Sequence, residues 1–368
     1  MEVLQVMREM GHERLLVCSQ PEAGLEALIA VHSTVLGPGL GGCRMWPYGD
    51  FAAAATDALR LARGMTYKAA AAGIPLGGAK AVILGDARRE KSEQLFRAFG
   101  RCVASLGGDY ITAEDVGTSA ADMSWIAQET PWVTGKPLEM GGGGDPSPVT
   151  ALGVLQGIRA ASERTWGTAD LAGRSVSVQG LGSVGRYLAG YLREAGAKVF
   201  GCDIDEEACR RARDEHGVEV VAPEEIYDLA CDVFAPCALG AILNDRTIPR
   251  LRARVVAGGA NNQLADPARH DGELARRGIL YAPDFVINAG GLIHVYQEFL
   301  GYDQERALGR ARGILETTRE VFASADRDGV APATAAERMA EARIAATRER
   351  GPRAWDPAVV RRLAELAT

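Results

Sequence analysis

The chain has 368 residues, 47% of them hydrophobic and 24% charged, with a net charge of −7. That length suits two domains of about 100–200 residues each, and the composition suits a sizeable buried core. The acidic balance and the lack of a Lys/Arg-rich block argue against a nucleic-acid partner, and no run of about 18 apolar residues is present to span a membrane. The first ten residues carry acids and lack the apolar core of a signal peptide. Seven scattered cysteines, with no Cys-x-x-Cys and no His pair at ligand spacing, point to free thiols in a reducing cytoplasm and to no metal site.

In chain order, residues 25–31 read as a strand and 50–68 as a helix rich in helix formers, with Asp50 a suitable N-cap. Gly77-Gly78 breaks the pattern before a short strand at 79–84. Residues 91–106 read as a helix and 110–113 as a strand, which leaves Asp115 just past a strand end, where functional groups of α/β domains emerge. Gly141 to Gly144, followed by Asp145-Pro-Ser-Pro148, reads as a flexible domain boundary and hinge. Beyond it come a helix at 150–164 and strands at 175–179, 198–202, 233–234 and 255–257, spaced by helical segments. This alternation predicts a mainly parallel, doubly wound sheet. Amphipathic helices at 306–327 and 333–350 close the chain.

The stretch Gly180-Leu-Gly-Ser183-Val184-Gly185 follows the β-branched strand and opens a helix at 186–195. In that context Gly180 permits a tight turn, Gly182 lets the backbone approach a pyrophosphate, and Gly185 allows close helix–strand packing. Asp203 follows at about the distance where a carboxylate accepts from a ribose diol and repels a 2′-phosphate, so NAD is expected over NADP. Asp205 is open as a sharer of that role, and a merely structural turn is the plainer alternative for the glycines.

Lysine stands only at Lys68, Lys80, Lys91, Lys136 and Lys198, so the other 36 of the 41 basic residues are arginine. Lys68 and Lys80 sit in an Ala- and Gly-rich stretch. Arginine stays charged, whereas an ammonium that is desolvated or beside another cation can lose its proton near neutral pH and act as a base. The alternative is two snorkelling lysines on a helix edge. A nicotinamide enzyme needs a substrate anchor and an acid–base group, and Lys68, Lys80 and Asp115 are the candidates. Asp115, followed by Val-Gly-Thr, also suits a cap on the next helix.

Several blocks now carry a resemblance. Gly37-Pro-Gly-Leu-Gly-Gly-Cys-Arg-Met-Trp-Pro47, residues 65–80, Thr112-Ala-Glu-Asp-Val-Gly-Thr118 and Pro146-Ser-Pro-Val-Thr150 resemble the signature segments of the glutamate/leucine/phenylalanine/valine dehydrogenase family. So do Ala235-Pro-Cys-Ala-Leu-Gly240, Ala260-Asn-Asn-Gln263 and Asn288-Ala-Gly-Gly291, in order over roughly residues 10–345, and the leucine-type members are nearest in pattern. The resemblance implies two α/β domains separated by a cleft: an N-terminal substrate and oligomerisation domain (1–135 plus about 330–368) and a Rossmann-type NAD domain (136–329). It implies a homo-oligomer.

By the same resemblance, Lys68 grips the substrate α-carboxylate, Lys80 with a lowered pKa activates a water, and Asp115 exchanges protons with the amino group. Thr150 contacts the nicotinamide amide, Asn262 lines the same cleft, and Ala238 belongs to the cofactor set. The implied reaction is the reversible NAD-dependent oxidative deamination of an L-amino acid to a 2-oxo acid and ammonia. The substrate residues implied are Leu40, Gly41, Gly42, Ala113, Leu292 and Val295. Family members acting on glutamate carry lysine where this chain has Leu40, and burying an unpaired γ-carboxylate there costs several kcal/mol. Branched-chain aliphatic substrates are expected, with phenylalanine the runner-up and a catalytically impaired amino-acid or NAD sensor the alternative of another class. Ala79, Asp145 and His294 depart from the family pattern. Ala79 adds a methyl where the backbone is expected to need unusual angles, Asp145 adds charge near the hinge, and His294 reads as a packed residue rather than a catalyst.

Overall fold

The computed structural model describes residues 3–351 and 355–367. Among these the chain forms two compact units. The first comprises the residues up to Gly144, His294–Gln304 and those from Ala340 onward; the second comprises Asp145–Ile293 and Glu305–Met339. The boundaries expected after 135 and near 330 therefore move. Glu298 is one physical reason: its buried carboxylate accepts from the N–H groups of Gly135 (2.8 Å), Lys136 (3.4 Å) and Gly143 (3.3 Å). The glycine run expected to be a flexible tether is thus anchored at Gly143 to the 294–304 segment of the same unit.

The first unit is built on a five-stranded sheet, β1 (Arg14–Gln20), β2 (Leu25–Ser33), β3 (Gly39–Trp46), β4 (Gly77–Leu84) and β5 (Tyr110–Glu114), in the order β1-β2-β4-β3-β5. β1–β2 and β2–β4 pair antiparallel, whereas β3 runs parallel to both β4 and β5. Helix α1 (Val3–Met10) and helix α2 (Phe51–Ala71) cover one face. As expected, Asp50 caps α2, its carboxylate accepting from Ala53 N at 2.7 Å. Small residues, Ala54, Ala55, Ala58 and Ala62, form the buried side of α2 and let it lie close to the sheet. The opposite face packs Phe96 and Phe99 of α3 (Glu93–Ala104) and Met123 and Ile126 of α4 (Ala120–Ile126).

The second unit holds a six-stranded parallel sheet in the order β11-β10-β9-β6-β7-β8. Its strands are β6 (Ser175–Gln179), β7 (Lys198–Cys202), β8 (Glu219–Val220), β9 (Val233–Pro236), β10 (Val255–Val256) and β11 (Leu280–Tyr281). Strand order reverses at the β6/β9 neighbours, the switch point where open α/β sheets bind ligands. The helices are α5 (Ser147–Trp166), α6 (Ser183–Glu194), α7 (Glu206–His216), α8 (Pro267–Arg276) and the single turn α9 (Asp284–Ile287). Helix α10 (Gly290–Phe299) carries the chain across the unit boundary at Ile293/His294. The helix expected at 306–327 is two, α11 (Gln304–Arg312) and α12 (Ile314–Asp328), interrupted at Gly313. Helix α13 (Pro332–Glu349) and helix α14 (Pro357–Ala367) follow. No helix of the described residues is long and apolar enough to cross a membrane.

Asp271 of α8 is 3% exposed and accepts from Ala333 N (3.1 Å) at the start of α13. Burial pushes its carboxyl up to about 6 despite the backbone donors of Ala333 and Thr334. A carboxyl whose folded value is raised makes the ionised form a cost. That cost is absent below about pH 4, where both states are protonated, and grows as pH rises through 6. Asp271→Asn keeps the acceptor and loses the charge. It should melt higher than the parent at pH 8, by an amount equivalent to roughly 1–3 kcal/mol, with the gap closing at pH 4; thermal unfolding at the two pH values measures this.

Candidate active site

Strand alternation sorts the candidate residues of the first unit onto faces. On β3, Cys43 and Met45 enter the core against α3 and α4, which leaves Leu40, Gly42 and Arg44 on the other face. On β4, Ala79, Ala81 and Ile83 enter that same core, so Gly78, Lys80 and Val82 share the face of Leu40. Register carries this across the sheet: Leu40 stands beside Gly78 and Ile111, and Gly42 beside Ala113. Leu40, Lys80 and Ala113 are thereby gathered on one face, with Asp115 at the next alternate position along the chain. Helix α2 lies on it, so close that a Cβ at Gly78 would fall 2.6 Å from Ala62 O. Lys68, half-buried, follows near the end of that helix. Gly41 has no side chain to place; its carbonyl accepts from the Tyr110 hydroxyl (2.9 Å) and a Cβ there would overlap Ala79 O.

Asp115 Oδ2 accepts from Lys80 Nζ (2.8 Å) and from Arg44 Nε (3.0 Å). Lys80 is 5% exposed and Asp115 half-buried, so the ammonium is the desolvated member of the pair. Burial alone would raise the Asp115 carboxyl, but the Lys80 and Arg44 charges and hydrogen bonds prevail and hold it below the ordinary carboxylate range. The backbone is fixed as well: the Thr118 hydroxyl accepts from Asp115 N (2.9 Å) and donates to Cys43 O (2.8 Å). Gly117 supplies the turn at φ +82°, with Met45 O where a Cβ would stand. Helix α4 is capped by Ser119 and Asp122, whose carboxylate accepts from Ser119 N at 2.9 Å, so the capping alternative for Asp115 falls. Arg44 also reaches Asp57 Oδ2 (2.8 Å), an oxygen that accepts from Tyr48 too. Arg44, Asp57 and Tyr48 were not among the expected site residues.

In the second unit the three motif glycines behave differently. Gly180 has φ +93°, and a Cβ there would fall 2.8 Å from Ala238 N. Around Gly182 no heavy atom lies within 4 Å of a Cβ, the open space a phosphate needs. At Gly185 a Cβ would overlap Gly180 O, so helix α6 packs directly on the turn. Ser183 and Val184 open α6. Asp203, at the end of β7, accepts from Leu181 N (2.7 Å) and from Asp205 N (3.0 Å), which ties the carboxylate to the loop. Asp205 is occupied as the cap of α7, accepting from Glu207 N at 2.9 Å.

Thr150 lies on α5, its hydroxyl donating to Pro146 O (3.0 Å), and a Cβ at Gly291 would sit 3.2 Å from that hydroxyl. Asn262 is exposed at φ +51°. Its loop is braced by Gln263, whose amide donates to Gly258 O (2.7 Å) and Ala260 O (3.0 Å), and by Asn288, whose amide donates to Asn261 Oδ1 (2.9 Å). A turn with room for phosphate, a helix N-terminus and a carboxylate at the neighbouring strand end together fit a dinucleotide.

Leu292 belongs to the second unit and Val295 to the first. Ala79 pairs with Val31 in β4, is fully buried in the core and has no positive φ, so the expected backbone demand for glycine is absent. Asp145 Oδ1 accepts from Ser147 N (2.8 Å), opening α5. His294 is packed, 1% exposed, with its ring 4.7 Å from that of Tyr302.

Residues 12–132 match the profile of the Glu/Leu/Phe/Val dehydrogenase dimerisation domain, and residues 141–209 and 205–351 match that of glutamate/leucine/phenylalanine/valine dehydrogenase. The chain belongs to this family. It is therefore an amino-acid dehydrogenase, an oxidoreductase using a nicotinamide dinucleotide. It is 52% identical to a leucine dehydrogenase of Geobacillus stearothermophilus over 349 residues, 95% of each chain. It is 50% identical to a valine dehydrogenase of Streptomyces virginiae, covering 92% of this chain and 95% of that one. The solved L-tryptophan dehydrogenase of Nostoc punctiforme superposes with a TM-score of 0.84 at 46% identity, covering 94% of this chain and 99% of that one.

The glycine at position 42 is a sharp test of the dehydrogenase site. A Cβ there would fall 2.7 Å from both Asp115 Cβ and Glu114 O. Gly42→Ala should displace Asp115 and lower kcat/KM by about 10- to 100-fold, the scale of a 1 Å misplacement, while circular dichroism stays parental. Parental rates from this variant would show that the position of Asp115 does not matter.

Proposed function

We propose that the chain catalyses the reversible NAD-dependent oxidative deamination of an apolar, branched-chain L-amino acid, leucine foremost, to the 2-oxo acid and ammonia. The observation that carries the side-chain preference is Leu40, 2% exposed on the sheet face that bears Lys80 and Asp115. A γ-carboxylate placed there would meet leucine instead of a cation. The leucine and valine dehydrogenases at 50–52% identity support the same reading. Ala113, on the same face as Leu40, is apolar as well, and an apolar lining selects by volume, where one methylene is worth about 1–3 kcal/mol.

Lys68 holds the α-carboxylate. Asp115, kept anionic by its two cations, takes a proton from the substrate ammonium. NAD, when bound, supplies the hydride acceptor for the α-carbon. Lys80, neutral at that stage with its proton given up to solvent, takes a proton from water as the water oxygen bonds to the imine carbon. Asp115 returns its proton to nitrogen, the new hydroxyl gives its proton to solvent as the carbonyl forms, and the C–N bond breaks to release ammonia. Gly180, Gly182, Ser183, Val184 and Gly185 are the residues proposed for the pyrophosphate, Asp203 for the ribose, and Thr150, Ala238 and Asn262 for the remainder of the cofactor. NAD is favoured over NADP because the Asp203 carboxylate would face a 2′-phosphate. A homo-oligomer is the reading supported by the matched dimerisation domain, and a cytoplasmic setting by seven free thiols.

A panel of L-amino acids should give kcat/KM highest for leucine, isoleucine or valine and negligible for glutamate. Phenylalanine at the top would favour the runner-up, and NAD binding without turnover on any amino acid would sink the enzyme reading in favour of a sensor. Lys80→Arg should abolish turnover while NAD still binds, whereas Lys68→Arg should mainly raise KM. Asp203→Ser should narrow the NAD/NADP ratio of kcat/KM at least tenfold, since about 1.4 kcal/mol of repulsion is tenfold.

A further inference from the structure

The oxygen of Asp115 that receives Lys80 also receives Arg44, and Arg44 is itself held from behind. Its Nε lies 3.0 Å from Asp115 Oδ2 and its NH1 group 2.8 Å from Asp57 Oδ2, on which the Tyr48 hydroxyl also converges. Asp57 comes from α2, Arg44 from β3, Lys80 from β4, and Asp115 follows β5, so four segments meet in one charge chain. The guanidinium is forked between two carboxylates and keeps about a quarter of its side chain exposed. Burial opposes its charge, yet Asp115 and Asp57 outweigh that and hold it more firmly protonated than usual.

We propose that Arg44 is a positioning residue for the reaction: it holds the Asp115 carboxylate in place, and anionic, through the part of the cycle in which Lys80 has given up its proton. This deepens the proposed function and rests on Lys80 and Asp115 being its proton-handling pair. When Lys80 is neutral, its hydrogen bond to Asp115 loses charge assistance, while arginine retains its charge at every working pH. Without Arg44, a half-buried carboxylate would then face only neutral partners and take up a proton itself. A lysine at position 44 would keep the charge and lose the fork that spans two carboxylates. The other titratable groups that feel the Asp115 charge are Cys43 on β3 and Tyr110 on β5, both buried in the core on the other face of the sheet, with the Lys91–Asp122 pair beyond Cys43.

The test uses the full-length enzyme and its best substrate from the amino-acid panel. Arg44→Gln should lower kcat by about 100-fold, the scale of misplaced catalytic groups, with NAD affinity unchanged. The acid-side limb of its kcat/KM profile should move up by roughly one pH unit, because removing a neighbouring cation raises the apparent value of the pair. Arg44→Lys should leave that limb near its parental position and recover only part of kcat. A folded Arg44→Gln enzyme with parental rates, or with lower rates and an unmoved limb, overturns the proposal. If the Gln variant fails to fold, Arg44→Lys decides: fully parental kcat overturns it, and reduced kcat with an unmoved limb sustains it. Lys80→Arg in parallel separates the two levels, since normal turnover there removes the underlying reading whatever Arg44 does.

Discussion

A single carboxylate oxygen, Oδ2 of Asp115, shared by an ammonium and a guanidinium, organises the first unit. Bringing Lys80, Arg44 and Asp115 out of water is expensive, and an apolar substitute of similar volume is often as stable. The cluster is thus a candidate for chemistry more than a source of stability. Its formation sets demands on the scaffold: three adjacent strands in register, a turn that fixes Asp115, and glycine wherever a side chain would push the strands or helix apart. Gly42 leaves room beside Asp115, Gly78 lets α2 settle on the sheet, and Gly117 turns the chain beneath Met45.

The second unit answers a different demand with the same residue type. In its parallel sheet the strand order reverses at β6/β9, and the turn after β6 needs a left-handed residue, an open residue and a residue flush against the turn, in that order. Asp203 links the turn to the next strand through Leu181 N, so the carboxylate proposed for the ribose is already held by backbone hydrogen bonds. The exposed Asn262 is likewise preset, its loop braced by buried amides of Gln263 and Asn288.

Legibility along the sequence followed local pattern. Helix α2 with its Asp50 cap, β6 with its glycine turn, and the position of Asp115 past β5 were all readable, because capping, β-branching and glycine spacing act over a few residues. Strand β3 was not read as a strand: four of its eight residues, Gly39, Leu40, Gly41 and Gly42, form a glycine-rich run that masks the period of two. Missing β3 meant missing Arg44, since only the alternation Leu40, Gly42, Arg44 puts it on the reactive face. Asp57 and Tyr48 had no signal of their own. The reach of Glu298 across about 160 residues to Gly135 and Gly143 was invisible for the same reason, and it shifted the unit boundary.

By itself the sequence determined the family, the two α/β units and the glycine motif, and it singled out Lys68, Lys80, Asp115 and Leu40 as candidates. These follow from residue type at short spacing, which the chain carries whether or not it is folded. Only the tertiary structure decided which side of a strand each residue occupies. It released Ala79 from any special backbone demand, occupied Asp205 as a helix cap, and put Arg44 on the Asp115 oxygen that Lys80 contacts. Those outcomes depend on register between strands distant in sequence, and register is set by the packing of both sheet faces at once.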